Sequence, residues 1–85
     1  MKIYTLLDRW HLDTDMADDY KIYVFKSFAE AKQQAEEILT DFRKCAGAEG
    51  NTTHYENDQQ TYATYHYYDA ETDQYDIIEI EEKEI

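Results

Sequence analysis

The sequence has little positive charge, and almost none of it lies in the second half of the chain. Residues 1–45 carry nine acidic and seven basic side chains, whereas residues 46–85 carry eleven acidic side chains and one basic one, Lys83. The formal net charge is −12. Because phosphate contacts require Lys and Arg, this distribution argues against direct binding of nucleic acid. For the same reason it argues against binding to anionic membrane surfaces.

Cysteine and long apolar runs are also scarce. Cys45 is the single cysteine, so the chain cannot form an internal disulfide. The apolar run from Ile3 to Leu7 is too short for a signal peptide, and no run is long enough for a transmembrane helix. We therefore expect one domain, residues 1–85, in a reducing cytoplasm.

Motifs for catalysis and metal binding are missing as well. Asp13, Asp15, Asp18 and Asp19 gather carboxylates as a calcium site would, but their spacing departs from the EF-hand pattern. The three histidines follow no zinc-ligand spacing. The chain has no glycine-rich phosphate loop, and paired carboxylates are too common in so acidic a sequence to indicate hydrolysis. We expect no metal, no cofactor and no enzymatic activity.

The strongest local pattern predicts a helix that begins after Ser27. Ser27 and Glu30 have the spacing of a capping box. Apolar residues then recur at spacings of three and four, which places them on one face of a helix. This apolar stripe consists of Phe28, Ala31, Ala35, Ile38, Leu39 and Phe42.

Four segments are typical of β-strands: residues 3–7, 20–25, 61–68 and 75–82. Residues 8–19 between the first two are predicted to form a polar loop, and residues 46–58 a long connection. We predict an α+β fold in which a four-stranded antiparallel sheet packs one helix on one face, in the order β-β-α-β-β.

The last two strands are predicted to form a hairpin with a four-residue loop, 70–73, so that Tyr68 lies opposite Tyr75. In this register one face of the hairpin is apolar and can meet the helix. The other face has no second helix to cover it and displays tyrosines, which are enriched at protein interfaces. Packing within the sheet explains the tyrosines equally well. The candidate aromatic interface consists of Tyr62, Tyr68 and Tyr75.

The segregated carboxylates predict an acidic surface that imitates DNA. Same-face residues of a strand lie about 6.7 Å apart, and duplex DNA carries one charge per about 3.4 Å of axis per strand. Two staggered strands with acidic loops approach that density, although solubility is an alternative explanation. The candidate contacts lie on the hairpin tip and final strand, and secondly in the first loop. They are Asp69, Glu71, Asp73, Asp76, Glu79, Glu81, Glu82 and Glu84, followed by Asp13, Asp15, Asp18 and Asp19.

Three segments, 1–6, 24–31 and 75–81, give the chain a layout that resembles small acidic proteins of phages and mobile elements. Some of those are DNA-mimic anti-CRISPR proteins. The resemblance implies a non-enzymatic inhibitor in a bacterial host cell, whose partner is a nucleic-acid-binding protein such as a CRISPR effector. The expected contact is the basic surface that reads the PAM duplex or holds the displaced strand.

The alternative is a protein-protein interaction module that uses the tyrosine face. It would be a homodimer, or an inhibitor of a basic protein such as a toxin. Salt separates the two hypotheses, because a charge-based complex weakens steeply with salt and an aromatic interface does not.

Overall fold

A computed structural model describes residues 1–12, 18–46 and 50–85, except for the side chain of Asp18. These residues form an antiparallel five-stranded sheet and a helix, which confirms the predicted α+β class. The elements are β1 (Lys2–His11), β2 (Asp18–Phe25), α1 (Phe28–Ala46), β3 (Asn51–Glu56), β4 (Tyr62–Asp69) and β5 (Gln74–Glu84). The strands lie in the order β2-β1-β5-β4-β3, so β5 is central and β2 and β3 are the edges.

The predicted number of four strands is wrong, because β3 lies within the segment that the sequence pattern assigns to a connection. β3 pairs with β4, and the chain order is therefore β-β-α-β-β-β. Five of the six residues of β3 are exposed. An edge strand of this kind needs no alternating apolar residues, and strand prediction depends on that alternation.

β1 is also longer than predicted, because it continues through Asp8 to His11 instead of ending at Leu7. Both of its neighbours extend with it: β2 pairs with it as far as His11, and so does β5. Backbone pairing on both sides therefore keeps this polar stretch extended, and it brings Asp8 into the sheet.

α1 begins as the capping box predicts. The Ser27 hydroxyl accepts a hydrogen bond from the Glu30 backbone N–H at 3.2 Å and donates one to the Glu30 carboxylate at 3.2 Å. Among the described residues, no helix has both the length and the apolar composition that crossing a bilayer requires.

The core lies between the apolar stripe of α1 and one face of the sheet, as the helical spacing predicts. Phe28, Ala31 and Ala35 are buried in one cluster with residues from the three central strands. Those strand residues are Leu6, Ala63, Tyr65, Ile78 and Ile80. Near the end of α1, Phe42 meets Tyr67 edge to face, with ring centroids 5.4 Å apart.

The hairpin of β4 and β5 has the predicted register, in which Tyr68 lies opposite Tyr75 and Asp69 opposite Gln74. Its loop is held by Asp69, whose carboxylate accepts a hydrogen bond from the Glu71 backbone N–H at 3.0 Å. The Asp73 backbone N–H donates to the Asp69 carbonyl at 2.8 Å. Asp73 adopts a φ of 59°, a left-handed conformation that Asp and Asn tolerate better than most residues.

Gly50 precedes β3 at a position where a side chain would collide with Tyr67. A Cβ atom there would lie 2.4 Å from Cζ of the Tyr67 ring, and Tyr67 is fully buried against Phe42. We expect Gly50→Ala to lower the free energy of unfolding by about 1–3 kcal/mol, as overpacking does. Urea denaturation measures this change. Asn51→Ala, at the exposed neighbouring position, is the control, and equal stability of the two variants would contradict the steric argument.

Candidate protein interface

The face of the sheet opposite α1 is not covered by any element of the described part of the chain. We call it the open face. On edge strand β2, Tyr20, Ile22 and Val24 point to this side and are 65%, 59% and 60% exposed. Tyr55 on β3 and Tyr68 on β4 are also exposed. Three of the five strands therefore expose large apolar side chains on the open face.

The charges at the centre of the open face are paired with one another. The Arg9 guanidinium lies 3.1 Å from the Glu79 carboxylate, and the Lys83 ammonium lies 2.9 Å from the Glu81 carboxylate. Exposed pairs of this kind add little stability. They do cancel charge, so the centre of the open face is close to neutral although the chain carries −12.

A recess of about 560 Å³ lies at one end of the open face. Its apolar lining comes from Tyr20, Tyr68, Tyr75 and Ile77. Its charged lining includes Arg9 and Asp73, with His66 beside them. Asp19 borders the recess from β2, but it lies opposite Trp10, so its side chain points to the helix-facing side of the sheet.

One wall of the recess is fixed by a hydrogen bond. The Tyr68 hydroxyl donates to Asp73 Oδ1 at 3.2 Å. This bond raises the pKa of Tyr68, because ionising the phenol would place two negative charges together. Tyr68 therefore stays neutral and holds the Asp73 carboxylate at the rim.

Two of the predicted acidic contacts are buried and not exposed. Asp76 and Asp69 are buried, so neither belongs to the exposed acidic surface. The sequence contained the signal for Asp76: in the predicted register it shares the helix-facing side with Ile78 and Ile80.

Four more of these carboxylates lie within ion-pair distance of a cation. Besides the pairs of Glu79 and Glu81, Glu82 lies 3.4 Å from the Lys2 ammonium and Glu84 lies 3.2 Å from the N-terminal ammonium. Within the described part of the chain, Glu71 and Asp73 are the two members of the hairpin and final-strand set that remain exposed without an ion pair.

The second predicted acidic group is described only in part. Asp13 and Asp15 lie outside the described residues, and of Asp18 only the backbone, in β2, is described. Asp19 is exposed, but its side chain lies on the helix-facing side of the edge strand β2. Of the predicted aromatic contacts, Tyr68 is exposed, whereas Tyr62 and Tyr75 are half-buried. The recess therefore brings together Asp73, Tyr68 and Tyr75 from the predicted set.

Two carboxyl groups that the sequence pattern does not bring together form a buried pair on the helix-facing side of the sheet. Asp8 is 4% exposed and Asp76 is 0% exposed. The two residues are separated by most of the chain and meet only because β1 pairs with β5, which places Asp8 opposite Ile78 and Trp10 opposite Asp76. Outside this pair, Oδ1 of Asp8 and both carboxyl oxygens of Asp76 have no hydrogen-bond partner among the described residues.

Burial changes the protonation of this pair. Removal from water, together with the hydrogen bond and charge of the neighbouring Asp8 carboxyl, raises the pKa of Asp76 to about 9. Burial also raises the pKa of Asp8. Perturbed carboxyl pairs occur at catalytic sites, but Asp76 has no solvent-exposed surface through which a substrate would reach it. At neutral pH Asp76 is therefore a protonated member of the core.

The described residues contain no group of three or more His, Cys, Asp or Glu side chains arranged to hold a metal ion. Comparison of the chain with protein families, curated proteins and solved structures found no match.

Proposed function

We propose that the protein is a non-enzymatic binding protein that holds a basic partner protein on its open face. The observation that carries this proposal is the exposure of Tyr20, Ile22, Val24, Tyr55 and Tyr68 on one uncovered sheet face. Several large apolar side chains exposed on one surface are typical of interaction sites. Tyrosine suits such a site because it buries a large ring and also forms a hydrogen bond.

The net charge favours a basic partner over a second copy of the chain. Two copies that each carry −12 repel one another. A basic protein is attracted instead, and electrostatic complementarity accelerates its association. The exposed carboxylates of Glu71 and Asp73 lie at the hairpin tip beside the recess, where they can meet cationic side chains around an apolar contact.

The partner class that fits best is a nucleic-acid-binding protein of the bacterial cytoplasm, since such proteins carry large basic surfaces. The resemblance to DNA-mimic anti-CRISPR proteins supports a CRISPR effector as the first candidate. Occupation of its basic surface would block DNA binding. Because six of the eight carboxylates on the hairpin and final strand are buried or paired, the proposed contact is a mixed apolar and acidic one rather than a row of phosphate substitutes.

Competition with DNA tests this proposal. The immobilised protein is presented to a bacterial lysate that contains CRISPR effectors, and bound proteins are eluted by a salt gradient with and without duplex DNA. We expect a basic DNA-binding protein that duplex DNA displaces. Rising salt should weaken its binding without abolishing it, because the apolar contact remains. A stable homodimer in sedimentation experiments that hides the open face, or a partner indifferent to duplex DNA, would overturn the proposal.

A further inference from the structure

We infer that the recess at the end of the open face is a subsite for a guanidinium group, supplied by an arginine side chain of the partner protein. This inference rests on the proposed function, because it names the chemistry that the same face recognises. It is drawn from three features of the recess: its aromatic walls, the oriented carboxylate of Asp73 and the neutralisation of Arg9.

The aromatic walls provide surfaces on which a flat cation can lie. Tyr20, on the edge strand β2, and Tyr68, on β4, expose much of their rings from opposite sides of the recess, and Tyr75 lies between them on β5. His11 stacks on Tyr75, with ring centroids 5.7 Å apart and an interplanar angle of 20°, which limits the orientations of that ring. A cation within about 6 Å of an aromatic ring centroid is attracted to the face of the ring.

The Asp73 carboxylate provides the opposite charge at the rim of the recess. Asp73 is fixed by its left-handed backbone, by its backbone hydrogen bond to the Asp69 carbonyl and by the Tyr68 hydroxyl. These local contacts orient the carboxylate before a ligand arrives, which lowers the entropy lost on binding.

Arg9 is the cation that would oppose a positively charged ligand. It lies 3.1 Å from the Glu79 carboxylate, so its charge is already compensated. Since the charges of Arg9 and Glu79 cancel, Asp73 leaves the recess with a negative charge. His66 also lines the recess.

A guanidinium fits these features better than an ammonium. It is planar, so it stacks on tyrosine rings, and it is more weakly hydrated, so it loses less on entering an apolar recess. Its fork of donors also matches a carboxylate. Lysine places a compact and strongly hydrated charge in the same space.

A small-molecule titration tests the subsite without the partner. N-acetyl-L-arginine amide is added at low salt to the 15N-labelled protein, and backbone amide shifts are followed by NMR. We expect millimolar binding, with shifts concentrated at Tyr20, Tyr68, Asp73 and Tyr75. The citrulline analogue, which has the same shape without the charge, should bind at least tenfold more weakly, and the lysine analogue at least threefold more weakly.

Two variants identify the groups responsible. Asp73→Asn should weaken binding of the arginine probe about fivefold. Asn tolerates the left-handed φ of 59° at this position, so the backbone should not change. Tyr20→Thr, which keeps a β-prone residue on the edge strand, should weaken binding by a similar factor. Asp41→Asn on the exposed side of α1 makes the same charge change as Asp73→Asn and should leave affinity unchanged.

The outcomes separate this inference from the proposed function. Equal binding of arginine and citrulline analogues, or equal weakening by Asp73→Asn and Asp41→Asn, would overturn the subsite. If a partner is captured on the open face while the arginine probe fails to bind, the subsite fails and the proposed function stands. If the probe binds as expected but no basic partner is captured, the proposed function fails and the subsite stands.

Discussion

Replacing Asp76 with Asn should make the protein progressively more stable than the wild type as the pH rises. Between pH 5 and pH 7 we expect the advantage of the variant to grow by about 3 kcal/mol, because the pKa of Asp76 is raised to about 9 in the folded protein. This is a large share of the stability of a small domain, which is typically about 5–15 kcal/mol. Urea denaturation at several pH values measures it.

The sign follows from where the proton is bound. In the unfolded chain Asp76 has an ordinary pKa near 4, so it is ionised above pH 5. In the folded protein burial keeps it protonated until about pH 9. Folding therefore takes up one proton throughout this window, and stability falls as the pH rises by about 1.4 kcal/mol per pH unit. Below about pH 4, Asp76 is protonated in both the folded and the unfolded protein, so it no longer lowers the stability.

A matched charge change separates this effect from general repulsion. Removing any carboxylate reduces the net charge of −12, and the weaker repulsion would also stabilise the protein. Asp41→Asn, at an exposed position of α1, makes the same change in charge and should show the pH dependence of the wild type. A wild-type curve that is flat between pH 5 and pH 9, or equal curves for the two variants, would show that Asp76 ionises normally.

The sequence predicted those parts of the fold in which local pattern and burial agree. The capping box at Ser27 and the apolar stripe located α1. In the hairpin, a four-residue loop over residues 70–73 predicted the register, and the structure confirms it. The alternating pattern alone did not decide between the two faces, because a slip of one residue would exchange them and bring Tyr62 and Tyr68 inward instead. The uncovered face followed from the same register and from the absence of a second helical pattern.

The remaining parts depend on long-range pairing, which local pattern does not record. β3 is a strand because β4 offers it an edge, although its own side chains are mostly exposed. Asp8 and Asp76 become neighbours only when the first and last strands of the chain pair at the centre of the sheet. The recess likewise joins Tyr20 on one edge strand to Tyr68 three strands away in the sheet.

Replacing both Ile22 and Val24 with Lys should weaken binding of the proposed basic partner about hundredfold. Both side chains lie at the edge of the open face and are more than half exposed, so lysine there removes little buried area. We expect the free energy of unfolding to change by less than about 1 kcal/mol. Binding should change far more, because the substitution removes apolar contact and places two cations against a basic surface. A hundredfold loss corresponds to about 3 kcal/mol.

The double variant Gln33→Lys and Thr40→Lys is the control for this experiment. Both positions are exposed on α1, on the opposite side of the sheet, and the change in net charge is identical. If the complex depends on the total charge of the chain, the two double variants weaken partner binding equally, and the open face is not the docking surface. If it depends on the open face, only the β2 variant loses the partner. Urea denaturation of both variants excludes unfolding as the cause, because each should retain a cooperative transition near that of the wild type.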